Sequence, residues 1–136
     1  MPQKSIVDMI VEFNQTVLHV PQKQAVKGLT DAEYKLALKQ LNEEISEFEL
    51  ADEESDLAGE IDALADLVYF AIGIMYKIGL TPSEIEQVFS AVHAANMTKK
   101  IGVKSSRVVE NAVDAIKQDG FHDPKHIIWE IINVRG

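Results

Sequence analysis

The chain has 136 residues, 46% hydrophobic and 26% charged, which suits a single soluble globular domain spanning 1–136. A net charge of −9 argues against a nucleic-acid partner, which would need a basic face. Without cysteine, the chain has no disulfide, thiolate metal site or cysteine nucleophile, as fits a reducing, cytoplasmic setting.

Met1 to Ser5 leads straight into an amphipathic pattern, so no signal peptide is expected. Ile6, Met9, Ile10, Phe13 and Val17 recur at helical spacing and predict a first helix over 5–18. Pro21 and Gly28 mark 19–28 as a loop. Thr30 and Glu33 form a capping box that opens a second helix, with an apolar stripe of Tyr34, Leu38, Leu41, Ile45 and Phe48 and an end near Ala51. An acidic connector follows over 52–56. The third helix is expected from Leu57 to Ile78, with Gly79 as its cap. It is apolar nearly all round from Leu64, which predicts a central, buried position. Its most apolar run, 67–76, is about half of what a membrane span requires, so no membrane partner is expected. Thr81, Pro82 and Glu84 give the fourth helix an N-cap, a first-position proline and a second capping box. That helix carries Ile85, Val88, Phe89 and Val92 and fades near Met97.

Beyond Lys99 the pattern weakens. Residues 101–106 are polar with a glycine, 107–117 read as a short helix or an ordered arm, Asp119 and Gly120 mark a turn, and 125–133 form a last short helix. No strong strand alternation is evident. The expected fold is all-α: an antiparallel bundle of about four main helices with an irregular C-terminal arm.

The chemistry lies in the acids. Between Asn42 and Tyr76 stand eleven acidic residues and no Lys, Arg or His. Glu43, Glu44 and Glu47 form E-E-x-x-E on the second helix. At 100° per residue, Glu44 and Glu47 lie about 60° apart, and Glu43 and Glu47 about 40° apart, so the three can address one spot. Leu41, Ile45 and Phe48 beside them are core candidates. Asp62 and Asp66 share a face of the third helix, and Asp66 abuts the apolar run that starts at Leu67. A carboxylate buried there needs a partner or a proton. Converging oxygen ligands suit Mg2+, or Mn2+ in its place, and disfavour zinc. Solvated amphipathic helices are the plainer reading of such acids.

These residues resemble the signature of the all-α nucleoside triphosphate pyrophosphohydrolases, the superfamily of MazG-like proteins, dimeric dUTPases and phosphoribosyl-ATP pyrophosphohydrolases. That signature is E-E-x-x-E on one helix and E-x-x-D on the next. The second half departs here: Ala63 stands three before Asp66, and Gly59 three before Asp62. The run Asp62-Ala63-Leu64-Ala65-Asp66 is similar instead to a D-A-L-x-D variant in a MazG-like subgroup. His93 through Lys99 resembles that subgroup's H-x-x-N-M-x-K segment, and Asp114 to Pro124 its tail. Phe13-Asn14 stands where the subgroup often has Phe-His.

The resemblance implies hydrolysis of a nucleoside triphosphate, a dNTP or a non-standard NTP, to the monophosphate and pyrophosphate. Glu44, Glu47, Asp62 and Asp66 would hold magnesium, with Glu60 a weaker substitute for Asp62. Glu43 or Glu47 would orient or deprotonate the water. Asn14, His93, Asn96, Lys99, Lys104 and Lys117 are the candidate substrate-binding residues, the lysines for phosphate oxygens and Asn14 for a base edge. It further implies a homodimer or homotetramer. Three other readings stand beside it: a non-catalytic acidic helical protein that binds metal or a regulatory partner, a phosphoribosyl-ATP pyrophosphohydrolase, and a di-iron carboxylate bundle. The last lacks its Glu-x-x-His motifs, since no histidine has a glutamate three positions before it.

Overall fold

The computed structural model describes residues 3–103 and 113–134, and among them it has five helices and one pair of short antiparallel strands. The helices are α1 (Ile6–Thr16), α2 (Asp31–Glu53), α3 (Leu57–Ile78), α4 (Pro82–Asn96) and α5 (Lys125–Asn133); the strands are β1 (Lys100–Val103) and β2 (Val113–Ile116). The fold is all-α with a C-terminal arm, and the helix limits follow the local signals. The Thr30 hydroxyl accepts the Glu33 amide while the Glu33 carboxylate accepts the Thr30 amide, completing the first capping box. Thr81 and Glu84 do the same at α4. Asp56 caps α3 by accepting the Gly59 amide at 3.0 Å.

The chain divides into two compact units, Met1–Ile85 and Glu86–Gly136. In the first, α2 folds back on α3 through the connector 54–56 and packs along it, and α1 also packs on α3. α3 is thus central to this unit, as its composition suggests, but it is not buried all round: Leu64 and Val68 are exposed. Small side chains line the α2–α3 seam: Ala37, Ala51 and Ala63 are buried, and a Cβ on Gly59 would meet that of Ala51 at 3.2 Å. The long α1–α2 connector is tied to the end of α3. The Tyr76 hydroxyl donates to the Val20 carbonyl at 2.8 Å, the Lys27 amide to the Ile78 carbonyl at 2.8 Å, and the Gln22 amide to the carbonyls of Gly79 and Leu80.

The buried faces differ from the apolar stripes. On α1 the buried residues are Val7, Ile10, Val11 and Asn14, whereas Ile6 and Val17 are exposed. On α2 they are Ala37, Glu44 and Ala51, while Tyr34, Leu38, Ile45 and Phe48 are exposed. Close approach of α2 to α3 selects the small residues for the seam and turns the large ones outward. A carboxylate, not Ile45 or Phe48, consequently faces the interior.

In the second unit, β1 and β2 pair antiparallel, with Lys100 opposite Ile116, Ile101 opposite Ala115, Gly102 opposite Asp114 and Val103 opposite Val113. Of the two readings of 107–117, a short helix or an ordered arm, the helix is corrected: residues 113–116 form a strand, which fits the arm. Four residues of alternation are too few to show in sequence, and the pairing depends on a partner strand. Residues 104–112, and Lys104 among the expected ligands, lie outside the described residues.

Candidate metal centre and substrate-binding residues

The α2–α3 hairpin gathers three carboxylates. Glu44, Glu47 and Asp66 each offer an oxygen, all within 4.8 Å of one another. Helical spacing places Glu44 and Glu47 on the seam side of α2, and the short connector brings Asp66 opposite them. Glu44 is buried, Asp66 half-buried and Glu47 exposed, so the cluster is open to water on one side. Oε2 of Glu44 is buried without a hydrogen-bond partner. Among the described residues no Lys, Arg or His forms an ion pair with these three.

The electrostatics follow from that packing. Burial raises the Glu44 pKa from 4.5 to about 7, assisted by a shared hydrogen bond with Glu47 and by the charges of Glu47, Asp66 and Asp62. Asp66 is raised as well, by burial first and then by Asp62 and Glu47. Asp62 stands one turn before Asp66, exposed, and acts on both neighbours through its charge. Glu60 belongs elsewhere: its carboxyl is raised by burial, then by a hydrogen bond with Asp52 and the charges of Asp52 and Asp56. Glu43 lies outside the three-carboxylate group and lines an open hollow on α2 with Lys39, Asn42, Ser46 and Glu47.

An unpartnered buried oxygen and mutually repelling acids leave a ligand set without its charge balance. A small, hard dication could supply that balance, and all-oxygen donors fit magnesium or manganese.

The expected substrate residues fall in both units. Asn14 on α1 is buried, and its amide donates to the Ile10 carbonyl at 2.9 Å, with Gly73 of α3 close against it. In the second unit His93 and Asn96 are exposed on the last turn of α4. Lys99 and Lys117 come together there, their ammonium groups 5.6 and 5.0 Å from the centroid of the Phe121 ring. Phe121 escaped the sequence reading, as did Gln40, Tyr69 and Phe70, which line hollows beside the hairpin. A signal for Gln40 was present: 33, 37, 40, 44 and 47 form one uninterrupted stripe of α2.

No individual curated protein matches the chain significantly. A family described as phosphoribosyl-ATP pyrophosphohydrolase matches residues 9–96, from within α1 to the end of α4, and so includes every carboxylate of the cluster. The chain therefore belongs to the phosphoribosyl-ATP pyrophosphohydrolase family, within the superfamily of all-α nucleoside triphosphate pyrophosphohydrolases.

Proposed function

We propose that this protein is a magnesium-dependent pyrophosphohydrolase that cleaves a nucleoside triphosphate, a dNTP or non-standard NTP, to the monophosphate and pyrophosphate. The observation that carries the reading is the trio Glu44, Glu47 and Asp66, with its orphaned buried oxygen, in a chain of a pyrophosphohydrolase family. These three, with Asp62 alongside, are the residues that would hold Mg2+ (or Mn2+). Bound there, the ion supplies charge neutralisation at the triphosphate and a lowered pKa for water.

The chain's own groups do the rest. Glu47, exposed at the water side of the cluster, accepts the proton of the attacking water, and Glu43 beside it orients that water. The water oxygen bonds to the α-phosphorus, the bridging α–β P–O bond breaks, and pyrophosphate departs with the bonding electrons. Lys99 and Lys117 are cations suited to the phosphate oxygens. His93, Asn96, Lys104 and Asn14 complete the substrate set proposed from sequence.

Phosphoribosyl-ATP is the second reading for the substrate, favoured by the description of the matched family. A panel of NTPs, dNTPs, dUTP and phosphoribosyl-ATP with magnesium, products resolved by anion exchange, separates the two. Monophosphate plus pyrophosphate, lost in Glu47→Gln, is the expected result. Diphosphate plus phosphate refutes attack at the α-phosphorus. Magnesium binding with no turnover of any substrate points to the regulatory reading.

Exposed Leu38, Ile45, Leu64 and Val68 on α2 and α3 support the homo-oligomer, a dimer or tetramer, which light scattering of the purified protein measures. Among the described residues no single helix is long and apolar enough to cross a membrane. A cytoplasmic location and the absence of nucleic-acid partners complete the proposal.

A further inference from the structure

The stripe of α2 that bears Glu44 and Glu47 continues toward the helix N-terminus through Gln40, Ala37 and Glu33. The facing stripe of α3 runs from Asp66 through Phe70 and Ile74 to Lys77. One inter-helix seam thus leads from the carboxylates to a cavity of about 200 Å3 at its other end. Leu29, Leu36, Ala37 and Ile74 give the cavity apolar walls, and Lys23 and Lys77 are the cations on its lining. Seven residues of α2 separate Ala37 from Glu44, a rise of about 10 Å. That separation is of the order of the distance from a nucleotide's α-phosphate to its base.

Gln40 stands between the two ends. It lines this cavity and also a smaller neighbouring one of about 40 Å3, shared with Phe13, Tyr69 and Phe70. It is half-buried, and its amide makes no hydrogen bond among the described residues. A primary amide offers two donors and an acceptor, the complement of a heterocycle edge. A slot with apolar walls, the charged residues Lys23, Glu33 and Lys77 and the Gln40 amide on its lining, one helix stretch from the candidate metal site, has the make-up of a small-molecule pocket.

We propose that the cavity between the α1–α2 connector, α2 and α3 receives the nucleobase of the substrate, and that the Gln40 amide hydrogen-bonds the base edge. This rests on the pyrophosphohydrolase reading for the direction of the phosphates, and it assigns Gln40 a specificity role. The base enters between Leu36 and Ile74, and its phosphate end points along the seam to Glu44 and Asp66.

The test is binding to the full-length protein, which needs no turnover. The five nucleoside monophosphates AMP, GMP, CMP, UMP and dTMP are titrated with magnesium while NMR follows the Gln40 side-chain amide and the methyl groups of Leu29, Leu36 and Ile74. At least one monophosphate should shift all four groups saturably, and inorganic pyrophosphate should leave the methyls unmoved. In Leu36→Trp, which enlarges an exposed side chain on the cavity lining, and in Gln40→Leu, Kd for that monophosphate should rise at least tenfold, with magnesium affinity and circular dichroism unchanged. Should every monophosphate leave the four groups unshifted, or should both variants bind as the wild type does, the cavity is not the base site. Cavity shifts without turnover of any triphosphate would sink the pyrophosphohydrolase reading and leave the base site standing. Turnover without cavity shifts would do the reverse.

Discussion

Glu44 is one group through which pH should reach stability. Its pKa in the folded chain is about 7, against an ordinary value of 4.5. Between those values the folded state retains a proton that the unfolded state has released, so stability falls as pH rises through about 7 and then levels. At about 1.4 kcal/mol per unit the whole difference corresponds to roughly 3 kcal/mol. Water entering past exposed Glu47 screens the site and reduces this to about 1–2 kcal/mol. Over a chain of this length that is a drop in Tm of about 3–8 °C between pH 5 and pH 8. Raised Asp66 adds in the same direction. The assay is thermal unfolding in EDTA at four pH values, for wild type and Glu44→Gln. The net charge of −9 also destabilises the fold as pH rises, and the variant separates the two effects. Glu44→Gln should show a shallower fall and a higher Tm than wild type at pH 8, and it should lose most of the magnesium response. A wild-type Tm that is level or rising from pH 5 to 8 would refute the reasoning, as would an unchanged slope in the variant.

Magnesium affinity should strengthen with pH through about 7, because the ligand must first lose its proton; calorimetry should find Kd about tenfold weaker at pH 6 than at pH 8. Gly79→Ala should destabilise the fold by about 1–3 kcal/mol in urea unfolding, since φ is +116° and a Cβ would come 2.4 Å from the Ala25 carbonyl oxygen. Gly28→Ala, where a Cβ meets nothing within 4 Å, is the near-neutral control. Thr30→Ala removes the hydroxyl that accepts the Glu33 amide and should cost about 1 kcal/mol in the same assay.

Local signals were legible in the sequence where their physics is local. Both capping boxes, the Gly79 stop and the limits of α3 and α5 depend on neighbours within one turn, and they stand as read. The carboxylates were legible because acids without a nearby base mark a helix face regardless of what packs on it. The direction of α2 was not. Large apolar residues at helical spacing indicate an amphipathic helix, but Ala37, Ala51 and Ala63 determine how closely α2 approaches α3 and hence which face is inside. Asn14 shows the same limit on α1: a polar residue occupies the buried stripe because Gly73 leaves it room and the Ile10 carbonyl satisfies its amide. The antiparallel pairing of β1 with β2 joins residues 10 to 16 positions apart, which no window of four residues reveals.

Every carboxylate assigned to the metal lies in a single helical hairpin, closed by the three residues 54–56, with Glu44 and Asp66 only 22 positions apart. Such a site is local in chain terms, and closing it requires little loop entropy. By contact order its ligands should meet when the hairpin closes, ahead of the long-range ties between the α1–α2 connector and the end of α3. Magnesium should then act on the folding transition state as well as on the native state, and raise the refolding rate in stopped-flow experiments rather than only slowing unfolding. The metal would be a nucleating partner of the fold as well as a reagent of its chemistry.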